Sequence, residues 1–245
     1  MRNFKRVMVC SDTHSGHHYG LTPPEWWFGK DSGDRLQRDI GEYQRDLWGF
    51  AADTIERLKP IDILLMTGDA IDGKGEKSGG VEQLTTDRVE QCRMLAPVKV
   101  LWIPGNHDTV LSYAATVGLA QRYTETEDVT VDLSPQPRKY VRYGLNLIGF
   151  AHGVEEGKRL EGLLQLEAAQ DWGKTIWREM HLGHLHTEKT VEKNGIEFRR
   201  ISSITAPDAW HNENGFIGST RRAQAFVWDK DKGLQMILNS NVRSA

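Results

Sequence analysis

The sequence predicts an α/β fold in which two mixed β-sheets pack face to face with helices outside. Three observations point to it. The first half alternates apolar strand-like runs with amphipathic helical segments, the pattern of a parallel sheet covered by helices. The second half is a succession of short strand-like segments with Gly144, Asn194-Gly195 and Lys232-Gly233 at the turns. Five apolar runs are each followed at once by a polar cluster: Asp12-Thr13-His14, Gly68-Asp69, Gly105-Asn106-His107-Asp108, His152-Gly153 and Gly183-His184-Leu185-His186. In an open α/β sheet, ligands bind outside the carboxyl ends of the strands.

The first strand ends near Cys10, and a loop from His17 to Gly33 follows, containing Tyr19, Pro23, Pro24, Trp26, Trp27 and Phe28. A helix is expected from Asp34 to about Leu58. Leu36, Ile40, Tyr43, Leu47, Phe50, Ile55 and Leu58 share roughly one face, and Asp34 with Gln37 resembles a capping arrangement. Pro60 ends it, and a strand runs to Met66. The glycine-rich stretch Gly73 to Gly80 reads as a loop, and Val81, Leu84, Val89, Cys92 and Leu95 as the next helix. A strand over Val98–Ile103 and a helix over Leu111–Tyr123 complete the alternating half.

Beyond it, strands are expected near Val129–Leu133, Tyr140–Tyr143, Leu145–Phe150, Ile176–Leu182, Thr187–Val191, Ile196–Ile201, Ala223–Trp228 and Leu234–Leu238. One helix, Glu155–Trp172, interrupts them. No repeat or break in composition marks a boundary, so residues 1–245 read as a single domain, with the loop at about 17–33 as an insertion beside the site.

At 245 residues the chain is long enough for one full core. Its formal charge of −3 argues against a broad basic surface for wrapping duplex nucleic acid, though not against a nucleotide. No apolar run approaches the ~20 residues that span a bilayer, so no membrane is expected. The chain enters a strand within its first residues, which reads as the absence of a signal peptide. Cys10 and Cys92 lie in apolar segments without a pairing framework, so a reducing, cytoplasmic setting is expected.

The polar clusters have the chemistry of a dinuclear metal centre. Two nearby dications need donors that hold them roughly 3.5–4 Å apart. The Asp69 carboxylate, with two oxygens, is suited to bridge them. Asp12 and His14 are two positions apart, as are His184 and His186, so each pair points one way from an extended segment. Asn106 offers an amide oxygen. Imidazoles favour Zn, Fe, Mn and similar ions over Ca or Mg. Each motif alone is weak, but five in one order at strand ends are not.

In these motifs the chain, from Asp12 to His186, resembles the calcineurin-like metallophosphoesterases. The resemblance implies a four-layer α/β/β/α sandwich and two divalent ions, Mn foremost, with Fe, Zn, Ni or Co as alternatives. It implies that Asp12, His14, Asp69 and His186 hold the first ion. Asp69 as the bridge, Asn106, His152 and His184 would hold the second. A hydroxide shared by the ions would attack phosphorus in line with the leaving oxygen. His107 would contact the phosphate and protonate the leaving group, with Asp72 as the carboxylate that keeps it charged and Asp108 as the other candidate partner.

The remaining residues bear on the substrate. Trp26, Trp27 and Phe28 could stack on bases, or form a small lid core or a subunit contact. His17 and His18 sit just beyond the first ligand pair, and His211 lies in the polar run Asp208–Phe216; His17 and His211 are candidate substrate contacts. His181 reads as a packed strand residue. Arg199-Arg200 and Arg221-Arg222 could supply phosphate-binding charge or face solvent.

Gly-Asn-His-Asp resembles the nucleases and phosphodiesterases of the family, so the expected substrate is a phosphodiester of a nucleic acid or nucleotide. Serine/threonine phosphatases of the superfamily carry an Arg shortly after the second Asp of their Gly-Asp motif. Gly73 and Lys74 follow Asp72 here, which weakens the alternative of a phosphomonoesterase. A non-catalytic scaffold is the third reading, disfavoured by the full set of ligands. A protein partner or a homo-oligomer is compatible with the sequence.

Overall fold

The structure is a computed structural model that describes residues 4–75, 78–95, 101–102, 136–153 and 159–242. Ten strands form two five-stranded sheets among these residues. In the first sheet, β1 (Phe4–Cys10) pairs in parallel with β2 (Ile63–Met66), and β2 with β3 (Leu101–Trp102). The last two strands of the chain return to this sheet. β9 (Arg222–Asp229) lies antiparallel to β1, and β10 (Gly233–Asn241) antiparallel to β9. The second sheet holds β4 (Arg138–Tyr143), β5 (Asn146–Ala151), β6 (Trp177–Leu182), β7 (Lys189–Lys193) and β8 (Ile196–Arg200) in the order β4-β5-β6-β8-β7. Its β5, β6 and β8 are parallel and its two edges antiparallel, so both sheets are mixed.

Side chains alternate across each strand, and the alternation builds the layers. Val7, Val9, Leu65, Phe226 and Trp228 of the first sheet meet Ile148 and Phe150 of the second in the central core. Met8, Cys10, Ala223 and Ala225 face the other way, against Leu47 and Leu58 of helix α1 (Arg35–Leu58). Leu147, Ala151, Met180 and Leu182 face outward against Leu160 and Leu164 of α3 (Leu160–Glu167). The result is a four-layer α/β/β/α sandwich, as expected. Every described residue of β5 is buried because each of its faces lies under a layer. No helix among the described residues is long and apolar enough to cross a membrane.

Helix α1 starts where the sequence places it. The Asp34 carboxylate accepts the Leu36 N–H at 2.9 Å, while Gln37 Oε1 accepts from Ser32 rather than reaching back to the cap. The expected helix from Val81 is shorter: α2 spans Arg88–Leu95. The segment ahead of it gives its hydrogen bonds to the loop after β1. Leu84 N–H donates to Gly16 O at 2.7 Å and His18 N–H to Glu82 O at 2.8 Å, with a bridge between His17 and Gln83. Val81 is accordingly 77% exposed and not a core position.

The expected single helix to Trp172 is two, α3 and α4 (Ala169–Trp172), separated at Ala168, whose φ of −112° and ψ of 32° leave the helical region. A final short helix, α5 (Ala209–Glu213), is capped by Asp208, whose carboxylate accepts the His211 N–H at 2.8 Å. The expected helix Leu111–Tyr123, the strand Val129–Leu133 and the cluster Asn106-His107-Asp108 lie outside the described residues.

Candidate metal centre

The carboxyl ends of β1, β2, β5 and β6 come together at one edge of the sandwich. Asp12 N–H donates to Gly68 O at 3.1 Å, His14 N–H to Asp69 O at 2.9 Å, and Gly183 N–H to His152 O at 3.0 Å. Four loops from two sheets are thereby laced into one floor. Ser203 and Thr205, just after β8, add hydroxyl hydrogen bonds of 3.0 and 3.2 Å to the Asp12 carbonyl.

Two trios of side chains result. Asp12, His14 and His186 bring one ligand atom each to within 4.8 Å of one another, and Asp69, His152 and His184 do the same. His186 Nε2 lies 3.3 Å from Asp12 Oδ1, and His152 Nε2 3.1 Å from Asp69 Oδ2. The trios are joined: the His184 N–H of one points at both Asp12 oxygens of the other, at 3.2 and 3.1 Å. The Ser11 hydroxyl also donates to the Asp12 carboxylate.

The electrostatics follow from that crowding. Burial pushes the Asp12 carboxyl up, but His186, His152 and His14 outweigh it and hold Asp12 well below the usual carboxylate range. Burial pushes His152 down, but the hydrogen bond and charge of Asp69 raise it to about 9. His186 also rises, its burial overcome by Asp12. His184 falls, through burial and the neighbouring His152.

The donor set fits a pair of divalent ions. One carboxylate and two imidazoles in each trio suit borderline transition ions rather than Ca or Mg. The imidazole tautomers fit as well. His152 Nδ1 contacts the Thr67 carbonyl at 2.9 Å, and a carbonyl only accepts, so Nδ1 carries the proton and Nε2 the lone pair. His14 Nδ1 pairs with Asp72 Oδ1 at 3.0 Å, which likewise places its lone pair on Nε2.

Backbone conformation is a further mark of the site. Asp12, His14, Asp69, His184 and His186 all have positive φ, from 43° to 72°. Non-glycine residues seldom adopt this region, and strain of this kind gathers at functional sites.

A family model described as calcineurin-like phosphoesterase matches residues 5–214. The chain belongs to the calcineurin-like phosphoesterase family. No curated protein sequence matches it. Among solved structures it is similar to YfcE, a phosphoesterase from E. coli, at 13% identity and a TM-score of 0.48, over 96% of this chain and 100% of that one. An archaeal phosphodiesterase aligns at 13% identity and a TM-score of 0.45, over 96% and 99%. Vps29 of Chaetomium thermophilum aligns at 14% and 0.41, over 97% and 95%.

As a member of this family the chain places its other motif residues informatively. Asp72 stands behind His14, and its second oxygen accepts from Gln83 Nε2 at 2.6 Å. Burial raises the Asp72 carboxyl, yet the His14 hydrogen bond and charge bring it down to about 2. The pairing of Asp72 with His107 expected from the sequence lies outside the described residues, as do Asn106 and Asp108. His17 is buried, its Nε2 3.6 Å from Glu82 Oε2. His211 stacks on His186, with ring centroids 4.6 Å apart and planes 21° apart, and its Nδ1 lies 2.6 Å from Asp208 Oδ1.

Trp27 and Phe28 of the aromatic loop are bonded to the fold. Trp27 Nε1 donates to Thr22 O at 2.8 Å, and Phe28 N–H to Gln44 of α1 at 3.2 Å. Instead, a cleft of about 290 Å³ beside the first trio is lined by His17, Asp72 and Glu82 on one side and Trp210 and Glu213 of α5 on the other. Trp26 and Trp27 are not in its lining. The arginine pairs serve the scaffold. Arg199 bonds Glu179 and Glu197, Arg200 the Gly183 and Gly153 carbonyls, Arg221 Ile204 O and Tyr43, and Arg222 Glu188. His181 is packed in the central core against Phe150, Phe226 and Trp228.

Sequence reasoning missed Gln83, Ser203, Thr205 and Trp210. The run Ser202-Ser203-Ile204-Thr205 directly after a strand was the one local signal. The other two reach the site only through the folding of distant segments.

Proposed function

We propose that this protein is a dinuclear-metal-dependent phosphodiesterase. The observation that carries the reading is the pair of joined Asp-His-His trios, in which Thr67 and Asp72 turn the His152 and His14 imidazoles to present Nε2. Asp12, His14 and His186 would hold one ion, and Asp69, His152 and His184 the other; by family resemblance Asp69 would be shared and Asn106 would join the second set. Divalent ions in such a centre supply Lewis acidity toward a phosphoryl group and lower the pKa of water, for an in-line displacement at phosphorus.

The residues divide the remaining work. Asp72 orients His14, and His184 N–H with the Ser11 hydroxyl fixes the Asp12 carboxylate. His107, a neutral-range acid by residue type, protonates the leaving oxygen. His211, held by Asp208 against His186, would be placed to contact the phosphoryl group.

A diester is favoured over a monoester by charge. A monoester dianion calls for an extra guanidinium, and the described arginines near the site are bonded to carbonyls and carboxylates of the protein itself. The test is hydrolysis of bis(p-nitrophenyl) phosphate against p-nitrophenyl phosphate by Mn-loaded protein. Faster turnover of the diester is expected. Preference for the monoester would sink the diesterase reading, and no metal-dependent turnover of either would sink the enzyme.

A further inference from the structure

The cleft beside the first trio has a chemistry of its own. Its described walls come from His17, from residues 72–75 and 78–83, and from the distant segment 208–213, and meet over about 290 Å³, the small end of the range for ligand pockets. Four carboxylates line it: Asp72, Glu82, Asp208 and Glu213. None of its described lining residues is Lys or Arg. Trp210 contributes the aromatic surface, is 36% exposed, and packs on Phe216 with centroids 5.6 Å apart and planes 28° apart. The cleft adjoins the metal centre through two of its lining residues: Asp72 also bonds His14, and Asp208 holds the His211 that stacks on His186.

A negatively lined pocket repels a polyanion entering beside the metals, and it attracts a cation. An indole ring next to carboxylates is the surface on which organic ammonium groups bind. We infer that this cleft binds a cationic amine on one arm of the substrate, so that the substrate is a zwitterionic phosphodiester whose phosphate lies at the metals and whose ammonium lies against Trp210 and Glu213. The inference rests on the diesterase reading above and sharpens it. One phosphate is accommodated at the metals, and the neighbouring negative field disfavours a second. A nucleobase stacked on Trp210 is the competing occupant, and it makes a different prediction.

Three esters that release the same p-nitrophenolate decide between them: the choline ester, its neutral 3,3-dimethylbutyl isostere, and the thymidine 5′ ester. The choline ester is expected to show a kcat/KM about tenfold or more above the isostere. Trp210→Ala is expected to shrink that ratio about 3- to 30-fold. Glu213→Gln, at an exposed position that leaves the fold intact, is expected to shrink it about 2- to 5-fold, as is added salt. Equal use of the choline ester and its isostere overturns the inference. So does a preference for the thymidine ester that Trp210→Ala abolishes, which would assign the cleft to a base.

Binding of tetramethylammonium to metal-free protein, followed by calorimetry, reads the cleft without catalysis. It is expected in the wild type and lost in Trp210→Ala and weakened in Glu213→Gln. Its absence in the wild type overturns the inference. If no ester is hydrolysed but tetramethylammonium binds, the diesterase reading fails and the cation site stands.

Discussion

Asp72 lies directly behind His14, Oδ1 to Nδ1 at 3.0 Å, and is itself held by Gln83. The imidazole therefore cannot rotate without breaking a charge-assisted hydrogen bond, and its basicity is raised on the metal side. Asp72→Asn is expected to weaken metal binding at the Asp12-His14-His186 trio about 10- to 100-fold. Titration of metal-free protein with Mn or Zn, followed by calorimetry, measures it. Affinity equal to wild type would remove the role assigned to Asp72.

His152 gives opposite pH signatures with and without metal. Its pKa is raised from 6.5 to about 9 in the folded protein, Asp69 overcoming the effect of burial. A group raised on folding adds stability that is complete below its unfolded value and vanishes as pH rises through its folded value. For the metal-free protein that contribution is present below about pH 6.5 and lost by about pH 9. A proton at Nε2 competes with a metal ion, so metal affinity runs the other way and increases toward pH 9. Thermal unfolding of metal-free protein and metal content after dialysis, both across pH 6 to 9, check the two slopes.

Gly183 marks the closest approach of the β6 loop to the floor of the site. A Cβ there would collide with Ser11 Oγ and come within 2.8 Å of Thr67 O and 2.9 Å of Asp12 Oδ2. Gly183→Ala is expected to destabilise the protein by about 1–3 kcal/mol and to reduce metal content by displacing Asp12. Denaturant unfolding with elemental analysis of the same samples measures both. Unchanged metal content in a destabilised variant would separate the loop from the ligand.

Trp27 is tied to its own loop through Thr22. Trp27→Phe removes that hydrogen bond and keeps most of the packing, at an expected cost of about 0.5–1.5 kcal/mol. KM for bis(p-nitrophenyl) phosphate is expected to stay within about twofold, well under the ~1 kcal/mol that a lost stacking partner costs. A much larger rise in KM would restore the loop as a substrate contact.

The sheets, α1 and the metal trios were legible because each depends on short-range pattern. The periodicity of Ile40, Leu47 and Leu58 finds one helix face, and the ligands sit one to four residues past strand ends. The segment from Val81 to Asp87 misled because its apolar residues follow helical spacing while its backbone bonds are used by the loop after β1. Asp72 was legible as a site residue, but its contact with His14 was not, since it depends on the register between two loops. Of the cleft, only His17 and Asp72 were legible as site residues. Nothing local marks Trp210 and Glu82 as neighbours, because their proximity is made by the tertiary fold alone.

Five of the ligands sit in left-handed backbone that glycine would occupy at lower cost. Replacing His184, at φ 72°, with glycine would relieve strain of about 1–3 kcal/mol in the metal-free chain. Drift toward thermostability alone would therefore erase this centre position by position. The five side chains are thus held against the preference of their own backbone, a cost that only the atoms they bring to the centre offset.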